Sequence, residues 1–227
     1  LDIIVEMFPV SAKVGALALL WAIIVGVPLG CLAAFKRGKL TDSILRVICT
    51  LGISMPSFVV ASVLLVTLTG DGALNLFPSI FDASQGIRAY ILPCFALGFY
   101  PMCYTARQTR SAMLDSLSQE YIKTARAKGL KNKKIIFKHA LRNALIPVIT
   151  YLGPQVAFTL CGGFVVESVF SIPGLGRYFV QSIQNRDYPV IMGTTIFLAT
   201  FIILMNLVVD LLYKVADPRI SLTKGGD

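Results

Sequence analysis

Few residues in this 227-residue chain could do covalent or redox chemistry. The one histidine, His139, cannot by itself supply a multi-histidine zinc site such as H-E-x-x-H. It sits among lysines, which suits a surface or contact role. No G-x-x-x-x-G-K-[ST] phosphate loop occurs, because Gly38-Lys39 lacks the partner glycine. No G-x-S-x-G nucleophile elbow occurs either. Cys31, Cys49, Cys94, Cys103 and Cys161 lie in or beside apolar runs, without paired metal spacing. They read as small buried apolar residues. Among ionisable residues inside the apolar runs, only Asp210 suggests an ion pathway. Lys214 follows one turn later, and an interfacial i,i+4 pair is a sufficient account of it. The chain is therefore read as having no catalytic residue, metal or cofactor of its own. What remains is recognition chemistry.

That chemistry concentrates in segment 115–147, the longest polar interval and the most basic one. It holds Lys123, Arg126, Lys128, Lys131, Lys133, Lys134, Lys138 and Arg142 against Asp115 and Glu120. Its pattern predicts two short helices joined by a glycine. Ser116 and Gln119 fit an S-x-x-Q capping box that opens the first. Tyr121, Ile122 and Ala125 give it an apolar side. Gly129 stands where a helix C-terminus favours positive φ. Asn132 is a good N-cap for the second helix. Lys134, Lys138 and Arg142 then share one face, and Ile136, Ala140 and Ala144 another. A merely solvated loop has no need of such order, so the segment is expected to receive a partner.

The elements that carry it are apolar. Hydrophobic residues make up 56% of the chain and charged residues 15%. Mean hydropathy is +0.74. A soluble domain would carry roughly a quarter charged residues. The apolar runs are far longer than barrel strands, so the fold class is all-α and polytopic, in a lipid bilayer. Spans are expected at about 14–35, 44–68, 91–113, 145–166 and 190–213. Pro28 could kink the first, Pro56 interrupts the second beside Ser54 and Ser57, and Pro93 and Pro101 lie in the third. Gly153-Pro154 and Gly162-Gly163 predict a bent, closely packed fourth.

Loops 70–90 and 167–189 carry little net charge and read as extracytoplasmic. Of the 21 Lys/Arg, all but Lys13, Arg88, Arg177 and Arg186 then fall inside. The positive-inside rule accounts for the net charge of +9, and nucleic acid is not the expected partner. The N-terminus is expected outside and the C-terminus in the cytoplasm. No internal repeat is visible, which speaks against an inverted-repeat carrier. The chain opens without Met or a signal-peptide pattern, so an upstream segment is expected to be missing. A membrane protein with no coupling ion and no ATP site, yet with an ordered basic helix–Gly–helix, suggests a pore subunit driven by a separate motor. A stand-alone channel or carrier is the competing reading, and a membrane-embedded hydrolase a remote third.

At 121–129, YIKTARAKG resembles the coupling-loop signature of ATP-binding-cassette importer permeases. EYIKTARAKGL…HALRNALIP, PSFVVAS at 56–62, VFSIPGLGRYFV at 169–180, NRDYPVI at 185–191 and VVDLLYKVADPRI at 208–220 are similar to the oligopeptide/dipeptide branch. The general signature is Glu-Ala-Ala, three residues, then Gly. Here it reads Lys123-Thr124-Ala125, then Gly129. The general pattern's later proline is Arg142 here, with Pro147 five residues on. Both departures favour the peptide/nickel branch over sugar or amino-acid permeases.

The resemblance implies a type I importer transmembrane fold over 1–227, in a bacterial or archaeal cytoplasmic membrane. The family's usual first span would precede Leu1. The resemblance further implies a second related permease, two cytoplasmic ATPase subunits holding ATP and Mg, and an external substrate-binding protein. The cargo would be peptide, with nickel or another small molecule of the same branch as the alternative. Tyr121, Ile122, Lys123, Thr124, Ala125, Arg126, Ala127, Lys128 and Gly129 would form the ATPase contact. Tyr121 and Ile122 would anchor in a pocket there, and the small residues would allow close approach. Pro173, Gly174, Gly176, Arg186 and Asp187 are the candidates for binding-protein docking and gating. Ser54, Ser57, Gln155 and Thr159 are the candidates for the translocation path.

Overall fold

Runs this apolar bury small residues where helices meet and leave large ones toward lipid. The computed structural model describes residues 2–70, 74, 76–131, 135–161 and 163–216, with the side chains of Lys138 and 212–216 left aside. Asp71, Asn132, Lys133, Lys134, Gly162, Arg219 and Lys224 lie outside the described residues, as do the side chains of Lys138 and Lys214. The elements are α1 (Asp2–Phe35), α2 (Leu40–Ser54), α3 (Ser57–Leu68), a 3-10 turn at Ala83–Gln85, α4 (Arg88–Ser118) and α5 (Glu120–Ala127). A π-helical turn at Ile135–Ala140 runs into α6 (Leu141–Leu160), followed by α7 (Phe164–Val169), α8 (Leu175–Gln184) and α9 (Tyr188–Ala216). Among the described residues, four stretches are long and apolar enough to cross a membrane, and the bent pair α2–α3, taken as one span, makes a fifth.

α1 is the central strut, and its most extensive partner is α4. Ala18, Ala22, Gly26 and Gly30 recur at fourth positions and present backbone to α4. A Cβ on Gly26 would lie 2.8 Å from the Met102 carbonyl oxygen. In return, a Cβ on Gly98 of α4 would lie 2.6 Å from the Ala18 carbonyl oxygen. Such small-residue stripes let backbones approach where lipid supplies no hydrophobic drive.

Three elements depart from the sequence-based boundaries. α1 begins at Asp2, not near residue 14. Asp2, Glu6, Pro9 and Lys13 make its first turns look like a loop. Phe8 nevertheless packs edge-on against Phe197 of α9 at 5.1 Å and against Phe201, and Ile4 and Met7 join the same apolar cluster. The second span starts earlier, at Leu40, and is interrupted at Pro56 as the sequence predicts: α2 and α3 meet at 104°. Pro56 cannot donate a helical hydrogen bond, and Met55 before it is extended (φ −86°, ψ 122°). The fourth span ends at Leu160 and restarts at Phe164 as the short α7.

Candidate functional site

The basic segment begins with a correction. Ser116 is not a helix N-cap, because α4 continues through Ser118 and α5 starts at Glu120 after an extended Gln119 (φ −72°, ψ 151°). Ser116 is instead a buried junction. Its hydroxyl donates to the Ala140 carbonyl at 3.0 Å and lies 2.6 Å from the Tyr121 hydroxyl. With the serine proton committed, Tyr121 is the donor in that second bond. One side chain thus ties the end of α4 to α5 and to the π-helical turn. Ser116→Ala is expected to cost about 1 kcal/mol by removing both bonds. Faster proteolytic nicking of 119–131 in the assembled protein would check it.

Gly129 stands as the spacing predicts, at φ +73°. Its N–H donates to the Arg126 carbonyl at 2.9 Å, and the Leu130 N–H to the Ala125 carbonyl at 3.3 Å. This is the paired bonding of a Schellman cap, completed by Leu130 packing back on the cluster that holds Ala125. The apolar side of α5 is used inside the chain. Ile122 is 0% exposed among Ala112, Met113, Ile135 and Ala140. Ile122 therefore anchors α5 to its own protein and is not presented to a partner's pocket. Ala125 is buried with it. The outward side carries Tyr121, Lys123, Thr124, Arg126, Ala127, Lys128 and Gly129. Lys123 pairs with Glu120 at 2.7 Å, an exposed i,i+3 pair, and no carboxylate faces Arg126 or Lys128 among the described residues. In the π-helical stretch and α6, Ile135, Ala140 and Ala144 are buried, Ile136 is half-buried, and Arg142 is exposed.

At the opposite end, the α7–α8 turn is wound around a carboxylate. Glu167 is 1% exposed, and its Oε2 accepts from the Arg177 N–H at 3.1 Å. The Leu175 N–H donates to Ser11 of α1 at 2.9 Å. These two bonds satisfy two of the free N–H groups that open α8. A Cβ on Gly174 would overlap Glu167 and Ser11, and one on Gly176 would lie 2.7 Å from Phe164. Both glycines are buried, so they shape this end but do not present a surface. Pro173, Arg186 and Asp187 are exposed. Arg186 is a non-glycine at φ +58°, closing α8 in a second Schellman cap: its N–H reaches the Ile183 carbonyl, and the Asp187 N–H reaches that of Ser182 at 2.9 Å. Asp187 caps α9 by accepting from the Val190 N–H at 3.3 Å. In the other loop, two hydrogen bonds from Ser84 hold the Asp82 carboxyl below the usual range. The Phe81 N–H ties that loop to the Phe170 carbonyl at 3.0 Å.

Between these ends, Ser54, Ser57, Gln155 and Thr159 come together. They line one cavity of about 410 Å³ with Met55, Pro56, Tyr100 and Phe158, where the α2–α3 bend opens against α4 and α6. Gln155 Nε2 donates to Thr159 Oγ1 at 3.1 Å.

Sequence reasoning missed the Asp42–Arg110 pair. Arg110 of α4 holds Asp42 of α2 by two hydrogen bonds, at 2.7 and 2.9 Å, and the Gly38 N–H adds a third at 3.1 Å. Arg46 lies 3.6 Å away. The partners are 68 residues apart, so no local spacing announces them.

Residues 26–222 match the family described as the binding-protein-dependent transport system inner membrane component. The chain belongs to that family. This permease is 48% identical over 225 residues to the dipeptide transport system permease protein DppB of Bacillus subtilis (strain 168), covering 99% of this chain and 72% of that one. It is 43% identical over 220 residues to the oligopeptide transport system permease protein OppB of Haemophilus influenzae, covering 96% and 71%. Among solved structures, its fold resembles a chain of the MetNI methionine ABC transporter in inward-facing conformations. The TM-score is 0.70 at 15% identity, over 96% of this chain and 97% of that one. A chain of an amino acid ABC transporter with histidines gives a TM-score of 0.65 at 18% identity, over 96% and 94%. At such identities the likeness concerns fold, and the permease has the type I ABC importer transmembrane fold.

Proposed function

We propose that this permease conducts short peptides inward through the cytoplasmic membrane as one half of a permease pair. Two cytoplasmic ATPase subunits drive it, and an external binding protein delivers the cargo. The 48% identity to a dipeptide permease supports the cargo class. The observation that carries the mechanism is α5: a helix locked by Ile122, Ser116 and the Gly129 cap, with Lys123, Arg126 and Lys128 left outward. A rigid basic knob suits an acidic-rimmed groove on a motor subunit, which holds ATP and Mg. The N-terminus outside and the C-terminus inside follow from placing α5 in the cytoplasm. Pro173, Arg186 and Asp187 then face the binding protein. ATP-driven closure of the ATPase pair would push α5 and shift the permease between inward-open and outward-open states, by as much as the partner's affinities for the two states differ.

The test is co-purification of the tagged permease with its neighbours, with Ala127→Cys cross-linking at the exposed face of α5. A cross-linked ATPase supports the reading. An ATPase-free chain that still transports overturns it. Gly129→Asp sharpens the test. Among the described residues, nothing beyond its chain neighbours lies within 4 Å of a Cβ built there, so these residues meet only the φ penalty, about 1 kcal/mol. The variant is expected to insert and assemble while uptake falls and ATP hydrolysis continues. Wild-type uptake would reject the contact.

A further inference from the structure

We propose that the stacked pair Tyr104–Tyr151 divides the passage into an upper vestibule and a cytoplasmic mouth, and is the point the cargo must displace to enter the cell. The proposal rests on the permease reading above and adds a gate to it.

The argument begins with helix register. α4 and α6 run antiparallel, and each carries a row of polar and aromatic residues facing the same groove. On α6 the row is Asn143, Pro147, Tyr151, Gln155 and Thr159, at successive fourth positions. On α4 it is Tyr100, Tyr104, Gln108, Ser111 and Asp115, at spacings of three and four. Both periods keep the side chains on one face. Asn143 to Thr159 rises about 24 Å, close to the ~30 Å hydrocarbon thickness. A polar row of that length is not a lipid-facing surface, because polar groups at membrane depth face protein or water.

Two cavities open along this groove. The first, about 410 Å³, takes Tyr100, Gln155 and Thr159 from the rows. The second, about 350 Å³, takes Gln108, Ser111, Asp115, Asn143 and Pro147, and extends to Gln119 and Tyr121 beside α5. The position between them on each helix is a tyrosine. The Tyr104 and Tyr151 rings stack with centroids 3.9 Å apart and planes at 22°. Neither lines either cavity. Tyr100 leans on Tyr104 at 6.3 Å. The Tyr151 hydroxyl donates to Gln155 Oε1 at 3.3 Å, which links the pair to the Gln155–Thr159 ladder of the vestibule. Among the described residues, the vestibule lining carries no Asp, Glu, Lys or Arg. Its donors and acceptors suit an extended chain of backbone amides, and its aromatic shelf suits neutral side chains.

The experiment uses the assembled importer in inside-out vesicles, without ATP. Ser57→Cys places a near-isosteric thiol in the vestibule, and Asn143→Cys one in the mouth. The probe is a charged, membrane-impermeant thiosulfonate added from the cytoplasmic side. The native cysteines are all buried and give the background. Ser57→Cys is expected to label slower than Asn143→Cys by about tenfold or more; variants of the two tyrosines leave both thiols in place and so separate access from thiol reactivity. Tyr151→Ala or Tyr104→Ala should abolish the gap, while Tyr151→Phe, which keeps the stack, should preserve it. Equal labelling of the two cysteines with both tyrosines intact overturns the proposal, and that comparison requires no tyrosine variant to fold. A gap that survives both alanine variants, with Asn143→Cys still labelled as before, also overturns it. No peptide enters the readout. A gated chain that carries no peptide would reject the cargo and leave the divider standing.

Discussion

Arg110→Ala is expected to destabilise the permease by about 1.5–3 kcal/mol, the range for hydrogen bonds to a charged group. Asp42 is 1% exposed, and two of its three close hydrogen bonds come from Arg110. Without the guanidinium, a buried carboxylate keeps only the Gly38 N–H and a distant Arg46. Arg46→Ala is the control. Its side chain is 53% exposed and 3.6 Å from the carboxylate, so it should cost under about 1 kcal/mol. Thermal unfolding in detergent would rank the two. The double variant Asp42→Ala/Arg110→Ala should be more stable than Arg110→Ala alone, because the stranded charge is gone. If the two arginines cost the same, the buried geometry is not what stabilises the pair. The pair also bears on movement. It clamps the first turn of α2 to α4, while the far end of α2 bends at Met55-Pro56. Releasing the clamp would leave α2 hinged at that bend, next to the vestibule.

What could be read from the sequence followed the range of the interaction. Span positions came from apolar run length, a local property, and the Pro56 break came from the missing donor of proline. Gly129 was legible because a cap needs a left-handed residue at a fixed offset. The Ser116 box was misread because the same S-x-x-Q spacing also fits a serine in the last turn of a longer helix. Whether α4 stops before it is decided by Met113 packing and by the Ala140 carbonyl, neither of which is local. Ile122 looked outward for the same reason: an apolar residue on a short helix does not say which protein it buries into. Glu167 looked like an external charge, and only the fold brings Ser11 and two glycines around it. The α1 start was hidden by Asp2, Glu6 and Lys13, whose apolar neighbours find α9 only in three dimensions.

The stripe that sets α1 against α4 gives the second large effect. Gly30→Val is expected to cost at least about 3 kcal/mol, the upper range for overpacking, or to prevent assembly. A Cβ there would overlap the Ala106 carbonyl and lie 2.6 Å from Thr109 Cβ, and valine adds two methyls beyond it. The carbonyl belongs to the α4 backbone and cannot rotate away, so α4 itself must move. Gly193 of α9 is the matched control, because among the described residues a Cβ there meets nothing beyond its chain neighbours within 4 Å. Gly193→Val should leave the melting temperature and expression near wild type, since valine is a tolerated lipid-facing residue. A Gly30→Val chain as stable as the Gly193→Val chain would mean that α1 and α4 are not held this close. The consequence reaches the passage, because Tyr100 and Tyr104 ride on the same helix that Gly26 and Gly30 position. A displaced α4 would part Tyr104 from Tyr151, so a partial defect at Gly30 should also raise cytoplasmic labelling of Ser57→Cys.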